Sequence, residues 1–490
     1  MKNIKYISIL VFSLTVFSCK ENYLDVDPID RYGYFNFMQN ESHVERAIVG
    51  GYRKFFVLAN NHLWFWGDMM SDNTTFRYNP TDRGGVNQEQ VEEFVAASDN
   101  TTFNGLFQES YDGIQGMNYI LQNLPKIPFA VPAIKELREA EARFMRAFHY
   151  FNLVRVYGDV PVISENILQE NVDVAKQYPR IPIDQVYSTA IIPDALYAID
   201  KLPTNAAVAS TSKGRLTKAV AQMFLAKVYM TQKKYADAVP LLQAILTQGY
   251  SLNSDYTSNF DPLKKNGPES IFEVQADALN GFGFGGQWTP WGTGVTLWPL
   301  GSNSRGGLNQ PTNDLNNAYE ANDKRKAITI GSTGTGGATI LYMKKFVNYD
   351  PLLKGNPSNF VVYRYADVLL MLAECLNEAS FPNADALRYL NQVRVRAGLA
   401  ERTAASFASQ DAFRLAIERE RRVELAGEGH RWFDLIRTGR SETVMTAHGI
   451  AEKALKPTVD RTAYTRIRTI VAYPRREIQQ YGYPQTPGWE

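Results

Sequence analysis

The residue types able to do chemistry are gathered in two stretches without helical period. One reads Gly281-Phe-Gly-Phe-Gly-Gly-Gln-Trp-Thr-Pro-Trp-Gly-Thr-Gly-Val-Thr-Leu-Trp298 and continues through Asn303, Ser304, Arg305, Asn309 and Gln310. The other runs from Trp64 to Gly85 and carries Asp72, Asn73 and Arg77 among its rings. A sugar ring offers an apolar C–H face and a rim of hydroxyls, so it binds best to a flat aromatic with amide, carboxylate or guanidinium groups at its edge. Trp288, Trp291 and Trp298 supply such faces, and Asp72, Asn73, Arg77, Asn303, Arg305 and Asn309 supply the rim. Two or three stacked rings at ~0.5–1.5 kcal/mol each give an affinity in the micromolar to millimolar range once a few hydrogen bonds are added. That suits capture followed by release. Some indoles are equally readable as core: Trp64 and Trp66 adjoin an apolar helix, and Trp298 lies among Leu297, Pro299 and Leu300.

Bond-making chemistry finds little support. The five histidines (His43, His62, His149, His430 and His448) have no paired spacing, and neither His-Glu-x-x-His nor Cys-x-x-Cys occurs. Gly281 to Gly286 is no dinucleotide loop, because no helical pattern follows to receive a pyrophosphate. Glu420 and Glu424 would serve as a glycosidase acid and base only if they flanked a groove. Their helix is instead dense in charge, with Arg414, Glu418 and Arg422 spaced for i,i+4 ion pairs, so the segment is assigned to packing and no catalytic residue is expected. No cofactor is expected either, apart from a structural calcium weighed for Asp68, Asp72 and Asn73, whose spacing does not fit an EF-hand.

The elements that must hold these loops read as helices. Apolar residues recur at helical spacing in Ser42–Leu58, Asn104–Leu124, and a helix through Phe144, Phe148 and Phe151 that Gly158 and Pro161 stop. That last helix should present an apolar stripe, with Arg146 opposite. Thr217–Gln232 is followed by a helix opening at Tyr235-Ala-Asp-Ala-Val239, and Val368–Ala379 by one opening at Asn383-Ala-Asp-Ala-Leu387. The repeated phrase, with small residues where helices meet, has tetratricopeptide logic. The fold expected is mainly α: tetratricopeptide-like helical pairs in a right-handed superhelix, interrupted by long irregular loop insertions.

Composition bounds the rest. The chain has 490 residues, with 52 basic against 51 acidic, and lacks the basic stripe that nucleic-acid binding needs. Two cysteines provide no disulfide framework; Cys375, in an apolar helical run, reads as a small buried hydrophobe. Residues 1–18 have the basic start and short apolar run of a secretory signal, ending at Val16-Phe-Ser-Cys19. Cys19 is similar to a lipobox cysteine, which carries enough acyl chains to anchor a protein stably to a membrane. Residues 19–40 then read as a tether, 41–275 as an N-terminal helical region, and 276–490 as a C-terminal region containing the aromatic loop 281–312.

Several segments together resemble the SusD/RagB family of surface lipoproteins. They are Arg143-Phe-Met-Arg-Ala-Phe-His-Tyr-Phe-Asn-Leu-Val-Arg-Val-Tyr-Gly-Asp-Val-Pro161, Arg180-Ile-Pro-Ile-Asp-Gln-Val-Tyr187, Gly214-Arg-Leu-Thr-Lys-Ala219, Tyr363-Arg-Tyr-Ala-Asp-Val-Leu-Leu-Met-Leu-Ala-Glu374, and Glu418 to Arg437. The resemblance implies a non-enzymatic outer-membrane lipoprotein that faces outward and binds oligosaccharides. It also implies delivery to a SusC-like TonB-dependent transporter as partner. A RagB-like collector of peptides is the alternative, and a secreted glycoside hydrolase a remote third.

Overall fold

A computed structural model describes residues 37–76, 85–165, 172–278, 284, 308–333, 339–346, 357–456 and 459–490. Helices dominate it. α1 (Glu41–Leu58), α2 (Thr102–Asn123), α3 (Pro132–Tyr157), α4 (Ile192–Lys201), α5 (Lys218–Thr231), α6 (Tyr235–Leu246) and α7 (Tyr365–Ala379) pack in chain order, each against the next. α8 (Ala384–Arg396) and α9 (Gln410–Glu424) both lie against α7, and α10 (Arg431–Arg437) and α11 (Ser441–Leu455) follow. The tetratricopeptide-like helical arrangement is the one expected, with α5/α6 and α7/α8 as its clearest pairs.

Local chemistry sets the ends of these rods. Asn40, Thr217, Asn383 and Ser409 each accept a backbone N–H of the first turn of the helix that follows, satisfying a donor that the helix leaves orphaned. α3 stops at Gly158, where φ is +71°. The chain then enters a two-residue strand, β2 (Val160–Pro161), paired antiparallel with β3 (Arg180–Ile181).

α3 is more deeply set than a one-sided stripe would make it. From Ala140 to Tyr157 it is buried nearly all round, with α2 on one flank and α4 on the other. Arg146, expected on a solvent face, instead pairs with the buried Asp194 (Nε to Oδ2 2.8 Å) and donates to Asn118 Oδ1 at 2.9 Å. Phe144, Phe148 and Phe151 all pack on Phe224 of α5, and Cys375 is buried as a thiol.

The charged segment in α9 makes no i,i+4 ladder. Arg414 pairs with Glu378 and Asp411, Glu418 with Arg431 and Arg440, and Arg422 with Asp72 and Asp314. Packing on several sides turns each side chain toward a different element. Two small sheets complete the scaffold: β4 (Ser270–Val274) with β8 (Phe360–Arg364), and β6 (Ile330–Thr333) with β7 (Ile340–Met343). A fourth ribbon, β1 (Thr74–Thr75) with β5 (Gln310–Pro311), joins the two aromatic stretches.

Candidate functional site

The first aromatic stretch begins as helix. α1 runs on through two π-helical turns, Ala59–Leu63 and Phe65–Met69, before reaching β1. Trp64 and Trp66 lie on this extension at 3% and 2% exposure, so both are core. Trp64 Nε1 donates to the Asn60 carbonyl at 2.9 Å, whereas Trp66 Nε1 has no acceptor. Gly67 lets the extension pass Gly429: a Cβ at Gly67 would sit 2.2 Å from the Gly429 carbonyl oxygen.

Asp68 and Asp72 are buried at the end of this extension. Asp68 accepts the backbone N–H of Gly429 at 2.6 Å and of Gly427 at 3.3 Å. Burial pushes its carboxyl up to about 7, against the pull of those donors. Asp72 is held the opposite way. Burial alone would raise it, but Arg431 (Nε to Oδ1 2.8 Å, Nη2 to Oδ2 3.0 Å) and Arg422 keep it well below the usual carboxylate range. Every oxygen of these two carboxylates thus accepts an N–H donor. Among the described residues no group of three or more acidic, histidine or cysteine side chains is placed to hold a metal.

The ribbon then brings the two stretches together. Thr74 lies opposite Pro311 and Thr75 opposite Gln310. Thr312 Oγ1 donates to the Asp72 carbonyl at 2.7 Å and Thr74 Oγ1 to Asn309 Oδ1 at 2.5 Å. Arg422 clamps the turn, giving Nε to Asn73 Oδ1 at 2.8 Å and Nη2 to the Asp72 carbonyl at 3.0 Å. Three amide nitrogens are nonetheless left without acceptors: Asn73 Nδ2, Asn309 Nδ2 and Gln310 Nε2. Such donors cost about 1–3 kcal/mol each when buried unpaired, and here all three belong to one ribbon.

Of the nine residues expected to touch ligand, Asp72, Asn73 and Asn309 are thus brought together, at 2%, 1% and 1% exposure. They form the buried root of the site and not an exposed rim; Asp72 in particular is committed to arginine. Arg77, Trp288, Trp291, Trp298, Asn303 and Arg305 lie outside the described residues, as does Cys19. The residues that fasten the root, Thr74, Gln310, Thr312, Arg422 and Arg431, gave no local signal, because their partners are hundreds of positions away.

Glu420 and Glu424 flank no groove. Glu424 is fully buried among Arg325, Arg364 and Arg396, which hold it well below its usual range despite the opposing effect of burial. Glu420 pairs with Arg325 at 2.6 Å and Arg394 at 3.1 Å. With Glu269, Asp323, Glu428 and Lys345 they form an ion lattice between α8, α9 and β8. Buried charges are tolerated when so fully hydrogen-bonded. His149 is likewise a packing group, buried and lying so near Gly113 that a Cβ there would meet its Nε2 at 2.2 Å.

The comparisons with known proteins agree with this architecture. Residues 284–485 match the SusD family model, and residues 22–230 match the model described as starch-binding associating with outer membrane. The chain is 29% identical over 489 residues to SusD-like protein P25 of Formosa agariphila, covering 88% of this chain and 90% of that one. It is 26% identical to SusD-like protein P2 of the same organism, covering 92% and 93%. Among solved structures it shares the fold of a laminarin binding SusD-like protein (TM-score 0.75, 24% identity, covering 92% of this chain and all of that one). It also shares the fold of surface glycan-binding protein A from Bacteroides thetaiotaomicron in complex with laminarihexaose (TM-score 0.72, 23% identity, covering 91% and 99%). Across two matched segments that together span most of its length, and in the helical stack that carries them, the chain belongs to the SusD/RagB family.

Proposed function

We propose that this protein is a non-enzymatic receptor that captures oligosaccharides outside the outer membrane and passes them unaltered to a SusC-like TonB-dependent transporter. The observation that carries the reading is the trio of amide donors on the β1–β5 ribbon, Asn73, Asn309 and Gln310, which lack acceptors. Segments 77–84 and 285–307 adjoin that ribbon in sequence and supply Arg77, Trp288, Trp291, Trp298, Asn303 and Arg305. A sugar hydroxyl, or a water bridging to one, offers the lone pair that an amide N–H lacks, and the indoles offer the stacking faces. The glycan-binding relatives support the same class, and the bound laminarihexaose of one makes laminarin the first polysaccharide to try. Attachment through an acylated Cys19 keeps the receptor at the membrane surface, since no helix among the described residues is long and apolar enough to span a bilayer.

Native gels impregnated with laminarin and other glucans test this. Wild type should be retarded, and Trp288→Ala and Trp291→Ala should migrate freely with unchanged thermal unfolding. Equal retardation of all three proteins sinks the indole site. Calorimetry with mixed oligopeptides tests the alternative: heat from peptides and none from glycans would move the protein to a RagB-like peptide role.

A further inference from the structure

Arg155, near the C-terminal end of α3, is a cation that none of the ion pairs among the described residues uses. Its Cζ lies 4.2 Å from the Phe151 ring centroid and 3.8 Å from that of Phe433, so it sits over two phenyl rings. The N–H donors of a guanidinium lie in its own plane, so an acceptor must meet it there. There, Nε donates to the Phe151 carbonyl at 3.3 Å and Nη2 to Asn152 Oδ1 at 2.6 Å. Both acceptors are neutral, and three of the five N–H donors of an arginine remain unspent.

The neighbouring charges are paired with other partners. Lys227, Arg421 and Arg437 are matched by Asp367, Asp434 and Glu374, three against three. Glu428 is taken by Lys345 and Arg364, and His430 is kept neutral, its imidazole pushed down to about 3 by burial and by Lys227. Burial also pushes Arg155 down, to about 10, against the weaker opposing pull of Tyr363, Tyr187 and Asp434. Beside it is a cavity of about 50 Å³ whose charged lining is Arg155, Lys227, Arg421 and Arg437 against Asp434 and Glu428, four cations to two carboxylates. A single water needs roughly 10–15 Å³ of such space, so the cavity has room for one halide-sized ion or a few waters.

We propose that this cavity is a binding site for a compact monovalent anion, held in the plane of the Arg155 guanidinium and distinct from the glycan site. The anion supplies a counter-charge and takes the spare N–H donors. Two chemical sources fit the space, a halide and a small carboxylate, and the test separates them.

Crystals of the wild-type protein grown with bromide should show an anomalous peak within hydrogen-bonding distance of an Arg155 Nη. In solution at constant ionic strength, thermal unfolding should rise saturably with bromide or with formate relative to a bulky anion such as gluconate. A response to bromide assigns a halide, and a response to formate without bromide assigns a carboxylate. Arg155→Met should lose the anion-dependent rise, and Arg155→Lys, which keeps the charge but not the planar donors, should retain only part of it. No anomalous peak together with no response to either anion overturns the proposal. A peak in the crystal without a solution response overturns it equally, since binding then occurs only at crystal concentration.

Discussion

Arg431 lays Nε and Nη2 against the two carboxylate oxygens of Asp72, at 2.8 and 3.0 Å, across 359 positions of sequence. That pair fastens the root of the β1–β5 ribbon to the C-terminal part of the scaffold. Breaking a buried pair by removing one charge costs ~3–5 kcal/mol. Asp72→Asn should cost about 3 kcal/mol in urea unfolding, near the lower end because Arg431 keeps Glu418 at 3.1 Å. Asp314→Asn, which removes only the half-exposed partner of Arg422, should change stability by less than about 1 kcal/mol. Equal effects from the two substitutions would mean that the Arg431 pair is not the fastening.

Backbone contact makes a second prediction. A Cβ at Gly67 would lie 2.2 Å from the Gly429 oxygen and 2.5 Å from its Cα, and backbone cannot swing aside as a flexible side chain can. Gly67→Ala should therefore lower the unfolding midpoint sharply. Gly116, inside α2 with nothing within 4 Å of its would-be Cβ, should do the reverse. Gly116→Ala should gain about 0.5–1 kcal/mol, because alanine loses less backbone freedom in a helix. Calorimetry of the two variants side by side reads both signs.

Much of the scaffold was legible because its signals are local. Periodicity and the stop at Gly158 and Pro161 depend on residues a few positions apart, and the helices follow them closely. Of the candidate site, the residue types were legible and the geometry was not. Asp72 and Asn73 have the side chains of a sugar-binding rim, but only the fold shows that Arg431 and Arg422 already occupy them. The i,i+4 spacing of Arg414, Glu418 and Arg422 is that of a solvated ladder, and α9 makes no such ladder because it is wedged among other elements. The π-helical turns that carry Trp64 and Trp66 inward leave no compositional trace, since an extra residue per turn has no characteristic sequence.

Glu92 makes stability depend on pH in a direction opposite to that of the paired carboxylates. It is buried, with Oε1 accepting from Tyr464 at 2.7 Å and Oε2 unpartnered. Burial, joined by Glu452 and Glu93 and opposed by Lys456 and Tyr464, pushes its carboxyl up to about 8. The folded state thus holds a proton that the unfolded chain releases near its ordinary value. Stability from this group is full below about pH 4.5 and is lost as pH rises through about 8. Glu92→Gln keeps a neutral group and should flatten the decline between about pH 5 and 8, a difference on the order of a kcal/mol or more at ~1.4 kcal/mol per pKa unit. Parallel pH profiles for wild type and variant would refute the assignment.

The two buried indoles separate hydrogen bonding from ring volume. Trp64 Nε1 donates to Asn60 O at 2.9 Å, whereas Trp66 Nε1 has no acceptor. Replacing either indole by phenyl removes similar apolar area and leaves a similar small void. The Trp64 change also removes one hydrogen bond to the Asn60 carbonyl, while the Trp66 change removes a buried group that was already unsatisfied. Losing a buried partner costs ~1–3 kcal/mol, and removing an unpaired polar group costs little or helps. Trp64→Phe should therefore be the more destabilising by about 1 kcal/mol or more in denaturant titration. Retention on a laminarin gel should be unchanged in both, because rings at 3% and 2% exposure have no face to offer a sugar. Loss of retention in either folded variant would place the stacking surface on the π-helical extension and away from Trp288 and Trp291.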